Sequence, residues 1–131
     1  MRVASVCLPD TGDVFDAVVL PGRDELVLRL RRELDVATEA TARGELERRL
    51  HGVTRPVLVD LAGVFVGVSG IRVLLHAERI TARAGVPCAV VAPPAWLSRL
   101  APALGLEGRI AFRPVAVPVD EAGPPLLVGQ R

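Results

Sequence analysis

The sequence predicts an α/β fold: one domain with a central mixed, mostly parallel β-sheet and α-helices packed on it. Three observations predict it. Short apolar runs bounded by Gly, Pro or Asp recur along the chain, as in "DAVVL", "RPVLVDLAGV" and "VPCAVVA". Between them lie longer segments with apolar residues at helical spacing. Strands that alternate with helices need crossover connections, and those build parallel sheets. At 131 residues the chain suits one domain with a substantial core, and no internal repeat divides it.

The elements follow in order. Residues 1–22 hold two candidate strands, "RVASV" and "DAVVL", on either side of the turn-rich "PDTGD". They are assigned as an N-terminal extension or extra strands, ahead of a domain spanning 23–119 and a loose tail over 120–131. "ELVLRLRRELD" sets Leu26, Leu28 and Leu30 against Arg29 and Arg31, with Val27 the exception, and reads as a strand with one buried face. "ATEATARGELERRL" turns helical: Thr38 is placed to cap it, and Glu39–Arg43 and Glu45–Arg49 are i,i+4 pairs in the favourable order. Gly44 weakens its centre by about 1 kcal/mol relative to Ala, and the helix stops near His51-Gly52.

"RPVLVDLAGV" is a strand buried on both faces. A helix follows from Ser69 to Ala84, with Gly85 as its stop. "VPCAVVA" is another buried strand, and "PPAWLSRLAPALG" a short helix with Pro94 in its first turn. Trp96, Leu97 and Leu100 form the apolar face of that helix, and Pro102 disturbs its end. "RIAFRPVAVPV" suits only an edge strand, because Pro114 and Pro118 cannot donate ladder hydrogen bonds.

Composition removes several classes of function. Half the residues are hydrophobic, yet no run approaches the ~20 apolar residues of a membrane-spanning helix. Pro9 and Asp10 interrupt any signal-like start, so the expectation is a cytoplasmic protein with no membrane partner. A net charge of +1 leaves no basic excess to neutralise phosphates, and one Trp with three Phe gives no stacking platform, which argues against nucleic acid. All sixteen basic residues are Arg, which also suits protein interfaces. Cys7 and Cys88 form neither a zinc set nor a CxxC pair. His51 and His76 have no nucleophile or carboxylate beside them in sequence. Asp60, the best isolated carboxylate, ends a strand and reads as a partner of loop amides. "GVSG" is too short for a phosphate loop and lacks its lysine. The chain is therefore read as no enzyme, with no cofactor and no metal.

The most informative stretch is "GVFVGVSGIRVLL", Gly63 to Leu75. Ser69 opens a helix at the carboxyl end of a strand, where ligands and partners usually meet such folds. Its hydroxyl can cap the helix, while Gly67 and Gly70 permit a tight turn or close approach of another chain. A phosphate on Ser69 would face the positive end of the helix dipole and bring roughly −1.5 to −2 charges into an apolar loop. At about 100° per residue, Arg72, His76, Arg79 and Arg83 fall on one stripe, bordered by Val73 and Ile80. Two readings stay open: a solvated helix face, or an acidic partner docked across Ser69, Arg72, Val73 and His76.

The ordered set of motifs resembles the STAS domain, the fold of anti-sigma factor antagonists. Glu33-Leu34-Asp35 match that family's Glu-Leu-Asp element, with Arg32 in place of its glycine, and Asp60-Leu61 match the end of its apolar strand. Gly67, Val68, Ser69 and Gly70 fall on its Asp-Ser-Ser-Gly loop. The likeness covers residues 26 to about 112 and implies a bacterial regulatory module for partner switching in transcription. Such a module binds an anti-sigma factor, a histidine-kinase-like serine kinase, and so releases a sigma factor. The family's phospho-acceptor is the first serine of the pair, which here is Val68, and the preceding aspartate is Gly67. Ser69 is then a helix cap first and a phosphorylation site only as the minor reading. The implied partner-binding set is Gly67, Val68, Ser69, Gly70, Arg72, Val73 and His76. The alternative is a scaffold or sensor subunit on the same fold, binding a small molecule or nucleotide or forming a homodimer, with no anti-sigma partner.

Overall fold

A computed structural model describes residues 10–19, 22–61, 63–106 and 108–113. Six described strands form one sheet, in spatial order the same as sequence order. They are β1 (Asp10–Thr11), β2 (Phe15–Val19), β3 (Leu26–Leu30), β4 (Val57–Asp60), β5 (Cys88–Val91) and β6 (Ala111–Arg113). The helices are α1 (Glu39–Arg49), α2 (Gly70–Ala84) and α3 (Ala95–Leu100). β1, β2 and β3 pair antiparallel, whereas β3, β4, β5 and β6 run parallel. The mixed, mostly parallel α/β sheet expected from the sequence is therefore present. β2 falls within the stretch assigned as an extension, and it completes the sheet by pairing with β3 along its length. The candidate strand "RVASV", Cys7 and the tail lie outside the described residues.

Three crossovers step in one direction, from β3 through α1 to β4, then through α2 to β5 and through α3 to β6. Right-handed connections of this kind place their helices on one face of the sheet. The main core agrees: Leu28, Leu30, Val57, Val59 and Val90 of the strands meet Leu46, Leu74, Ala77 and Leu97 of the three helices. A second cluster sits on the opposite face, built from Val27, Leu58, Ala89 and Val91. Val27 is thus no flaw in the alternation of β3. It points to the other face and is fully buried there, so the expectation of one buried face on β3 is corrected to two.

Beside that cluster, Arg29 Nε and Nη2 each lie 3.3 Å from Asp60 Oδ2 across the β3–β4 register. Asp60 is buried, and a buried carboxylate needs such a partner. In α1 the Glu39–Arg43 pair forms, at 3.7 Å. Glu45, on the same helix, is buried. Its carboxylate accepts the backbone N–H groups of Asp13, Val14 and Phe15 at 2.8, 2.8 and 3.0 Å, which fastens the entry of β2 to α1. α2 stops where expected, at Gly85 in the left-handed region (φ 75°). In α3 Leu97 is buried and Trp96 half-buried, but Leu100 faces solvent, so the expected apolar face is two residues wide. β6 is the edge strand, as Pro114 requires.

Candidate functional site

Two loops meet at the carboxyl ends of β3 and β4. The first runs from β3 to α1 and is shaped by Asp35 and Thr38. Asp35 Oδ1 accepts the Ala37 and Thr38 N–H groups at 3.0 and 3.2 Å, and Thr38 Oγ1 accepts the Asp35 N–H at 3.0 Å. The Thr38 hydroxyl in turn donates to the Glu33 carbonyl at 2.7 Å. This is the reciprocal arrangement of a capping box, with Asp35 in the capping role. Thr38 precedes the first residue of α1 but makes no side-chain cap bond there; its hydroxyl is committed to the turn before it. That corrects the expected Thr38 cap.

The second loop, residues 61–69, is clipped to the first. Leu34 and Val66 form a parallel bridge: Leu34 N–H donates to the Phe65 carbonyl at 2.9 Å and Gly67 N–H to the Leu34 carbonyl at 2.8 Å. Leu34 and Val66 are both buried. From the far side, Trp96 Nε1 donates to the Val66 carbonyl at 3.0 Å, which gives the indole the acceptor that a half-buried Trp requires. α2 then begins tightly, with Gly70, Ile71 and Arg72 N–H groups donating to carbonyls three residues back, at 2.9, 3.0 and 3.2 Å. Gly70 is the close approach in this turn: a Cβ there would stand 2.7 Å from Val66 Cγ1 and 3.3 Å from Leu34.

Pinned in this way, the loops turn three large apolar side chains outward. Val36 is 81 % exposed, Val68 74 % and Phe65 61 %. Charged groups border them: Arg31, Arg32 and Glu33 are exposed, and Arg32 Nη1 lies 3.0 Å from Asp13. Arg72 is also exposed, with Nη1 3.7 Å from Glu39.

The sequence-derived set is only partly brought together. Gly67, Val68, Ser69 and Gly70 form the turn itself, and Arg72 stands exposed behind it. Val73 does not join them. It is fully buried in the main core, because the α2 face beside the arginines packs inward, and it is withdrawn from any docking surface. His76 is turned toward α1, its side chain 12 % exposed and Nε2 3.1 Å from Glu47. The continuous stripe running from Ser69 through His76 is therefore broken at His76. Ser69 occupies the N-cap position but makes no side-chain cap hydrogen bond, so the expected capping role of its hydroxyl is corrected too.

Val36 and Phe65 were not singled out by sequence reasoning. Phe65 lies in an unbroken apolar run, where alternation about the Leu34–Val66 bridge, rather than hydrophobicity, decides which side chain emerges. Among the described residues no three His, Cys, Asp or Glu side chains converge as metal ligands, and no helix is long and apolar enough to cross a membrane.

A family model described as "Mlab, STAS domain" matches residues 21–116. The chain belongs to the STAS domain family. No curated protein matches the sequence. Among solved structures, an anti-sigma factor antagonist from Mycobacterium paratuberculosis is similar at 19 % identity, with a TM-score of 0.61, covering 81 % of this chain and 91 % of the other. The unphosphorylated form of the anti-sigma factor antagonist SpoIIAA gives 17 % identity and a TM-score of 0.59, over 75 % of this chain and 86 % of the other. The phosphorylated form of SpoIIAA, described as a Bacillus cell fate determinant, gives 17 % and 0.56, over 75 % and 89 %. At these identities the likeness establishes the shared fold, and this STAS domain has the architecture of the antagonists.

Proposed function

We propose that this STAS domain is a protein-binding regulator of the anti-sigma factor antagonist type, docking to an anti-sigma factor kinase through the two loops at the carboxyl ends of β3 and β4. One observation carries the reading: three large apolar side chains, Val36, Phe65 and Val68, stand in solvent on loops that are otherwise rigidly bonded. Exposed apolar groups rimmed by charge are what the core of a protein interface uses. The docking set is therefore Val36, Phe65, Gly67, Val68, Ser69, Gly70 and Arg72, without Val73 and with His76 at most on its rim.

Val68 occupies the family position of the phospho-acceptor serine and has no hydroxyl, so association through this loop does not switch on phosphorylation at that position. Ser69 is partly exposed and offers the remaining hydroxyl in the turn.

The test is capture from a native cell extract with wild type and Val68→Asp side by side, read by mass spectrometry. Wild type is expected to retain an anti-sigma factor and Val68→Asp to lose it. Burying an unpaired charge at an interface weakens binding by about 100-fold or more. Equal retention by both proteins overturns the docking surface. Recovery of the protein alone moves the assignment to a scaffold or sensor subunit on the same fold.

A further inference from the structure

At the amino ends of the strands, opposite the docking loops, the last turn of α2, the start of β5 and the turn into β6 leave a cleft of about 520 Å³ between them. Small-molecule sites have volumes of about 300–1,000 Å³ and walls that are largely pre-formed. The backbone fixes the walls of this one. Gly85 and Val86 N–H groups donate to the Ala82 and Thr81 carbonyls at 3.1 and 3.0 Å, and the Arg109 and Ile110 N–H groups share the Leu106 carbonyl, each at 3.0 Å. Ala82, Val86, Pro87 and Ile110 give the cleft an apolar lining. Two charged groups stand on it, one from each wall: Glu78 of α2, and Arg109 of the turn into β6. Glu78 Oε1 lies 3.9 Å from Arg109 Nη2, too far for a hydrogen bond. The Glu78 side chain is only 27 % exposed, yet among the described residues nothing nearer than that guanidinium answers its carboxylate. A largely buried carboxylate left without a hydrogen-bond donor is unusual in a folded protein. Thr81 does not supply the donor, because its hydroxyl turns back to the Ala77 and Glu78 carbonyls, each at 3.0 Å. Cys88, also on the lining, stays a neutral thiol, since burial pushes its pKa up to about 11.

We propose that this cleft binds a small zwitterion, an α-amino acid with an apolar side chain, its ammonium on Glu78 and its carboxylate on Arg109. The two charges choose the class. A simple anion drawn to Arg109 meets the Glu78 carboxylate, and a simple cation drawn to Glu78 meets the Arg109 guanidinium. A ligand that carries both charges on neighbouring atoms fits between the pair and gives each group the charge-assisted hydrogen bonds it lacks. An ammonium on Glu78 fills the missing donor directly. The end of α2 favours the same orientation, because the carbonyl end of a helix attracts positive charge. The apolar lining then takes the side chain of the ligand, as pockets with few polar groups do. A nucleotide does not suit this cleft: its phosphates need several donors, and Arg109 is the only cation on the lining.

The experiment titrates the full chain by calorimetry with L-valine, L-leucine and L-phenylalanine. Beside them it uses isoamylamine and isocaproate, which keep the leucine side chain but lack one charge each. At least one of the amino acids is expected to bind saturably in the millimolar range or below, and both single-charge probes to bind about tenfold more weakly or worse. Glu78→Gln and Arg109→Gln are each expected to weaken amino-acid binding by about tenfold or more, with thermal unfolding read alongside to show that the fold is kept. No saturable binding of any of the three amino acids overturns the proposal. So does a single-charge probe that binds as tightly as the amino acid, or binding that survives both substitutions. If Glu78→Gln fails to fold, Arg109→Gln decides alone, since half of that side chain is in solvent. None of these outcomes bears on the docking loops at the other end of the sheet, which partner capture tests separately.

Discussion

At position 70 the turn into α2 leaves no room for a side chain. Alanine is the better helix former by about 1 kcal/mol, yet its Cβ would lie 2.7 Å from Val66 Cγ1, and overpacking of this kind costs roughly 1–3 kcal/mol. Gly70→Ala is therefore expected to lower the melting temperature rather than raise it, and a raised value in thermal unfolding would show that the loop is not pinned by Val66 and Leu34. Glu45 makes the complementary case. Its two carboxylate oxygens accept three backbone N–H groups in a buried site, whereas glutamine offers one acceptor and turns an N–H₂ toward the donors. Glu45→Gln is expected to lose about 1–3 kcal/mol, read as a lowered midpoint in urea with little change in slope. The tight turn at Gly70 was legible in the sequence, whereas the three backbone donors held by Glu45 were not. Sequence spacing pairs Glu45 with Arg49 and says nothing of its burial, because the loop that Glu45 holds is brought over it from 30 residues away. Thr38 was misread because its hydroxyl is committed to the turn before the helix, accepting the Asp35 N–H and donating to the Glu33 carbonyl.

At the scale of elements the reading was closer, because element order and type rest on periodicity, which survives tertiary packing. The span of α2, its Gly85 stop and the double-sided burial of β4 follow directly from the residues. β3 was read as one-sided because its neighbours on the second face, Leu58 and Ala89, belong to other strands. β5 begins with Cys88, where the end of α2 packs over it. Burial pushes that thiol from 9.0 up to about 11, with Glu78 adding to the rise and a hydrogen bond to Thr81 opposing it. Cys88 is therefore expected to stay unalkylated near about pH 8, where the thiolate is scarce; rapid modification of the folded protein there would contradict its buried setting. The folded chain also holds this proton more tightly than the unfolded chain. Its contribution to stability is complete below pH 9 and is lost as pH rises toward about 11. The difference in melting temperature between wild type and Cys88→Ala is accordingly expected to shift against wild type as pH rises through that window. A difference that stays constant with pH would refute the linkage.

For the whole molecule, the arrangement separates what holds the fold from what the surface offers. The carboxyl-end loops were located by sequence, since a helix opening after an apolar strand marks that end of an α/β sheet. Of their apolar residues only Val68 was placed on the docking surface by sequence, and that Phe65 would emerge was not legible, because Val64, Phe65 and Val66 are alike in hydrophobicity and only the bridge to Leu34 sorts them. The same bridge makes the two roles separable by experiment. Phe65 and Val68 stand mostly in solvent, and replacing exposed side chains away from packing or caps changes stability by no more than about 0.5 kcal/mol. Leu34, fully buried beneath them, belongs to the class in which Leu→Ala costs about 2–5 kcal/mol. The double variant Phe65→Ser/Val68→Ser is thus expected to melt with wild type while losing the docking surface, and Leu34→Ala to melt well below it. Thermal unfolding of both, measured beside partner capture, separates a surface effect from a collapsed fold. If the double serine variant melts as low as Leu34→Ala, Phe65 and Val68 are structural supports, and the loops are not a free apolar surface for a partner.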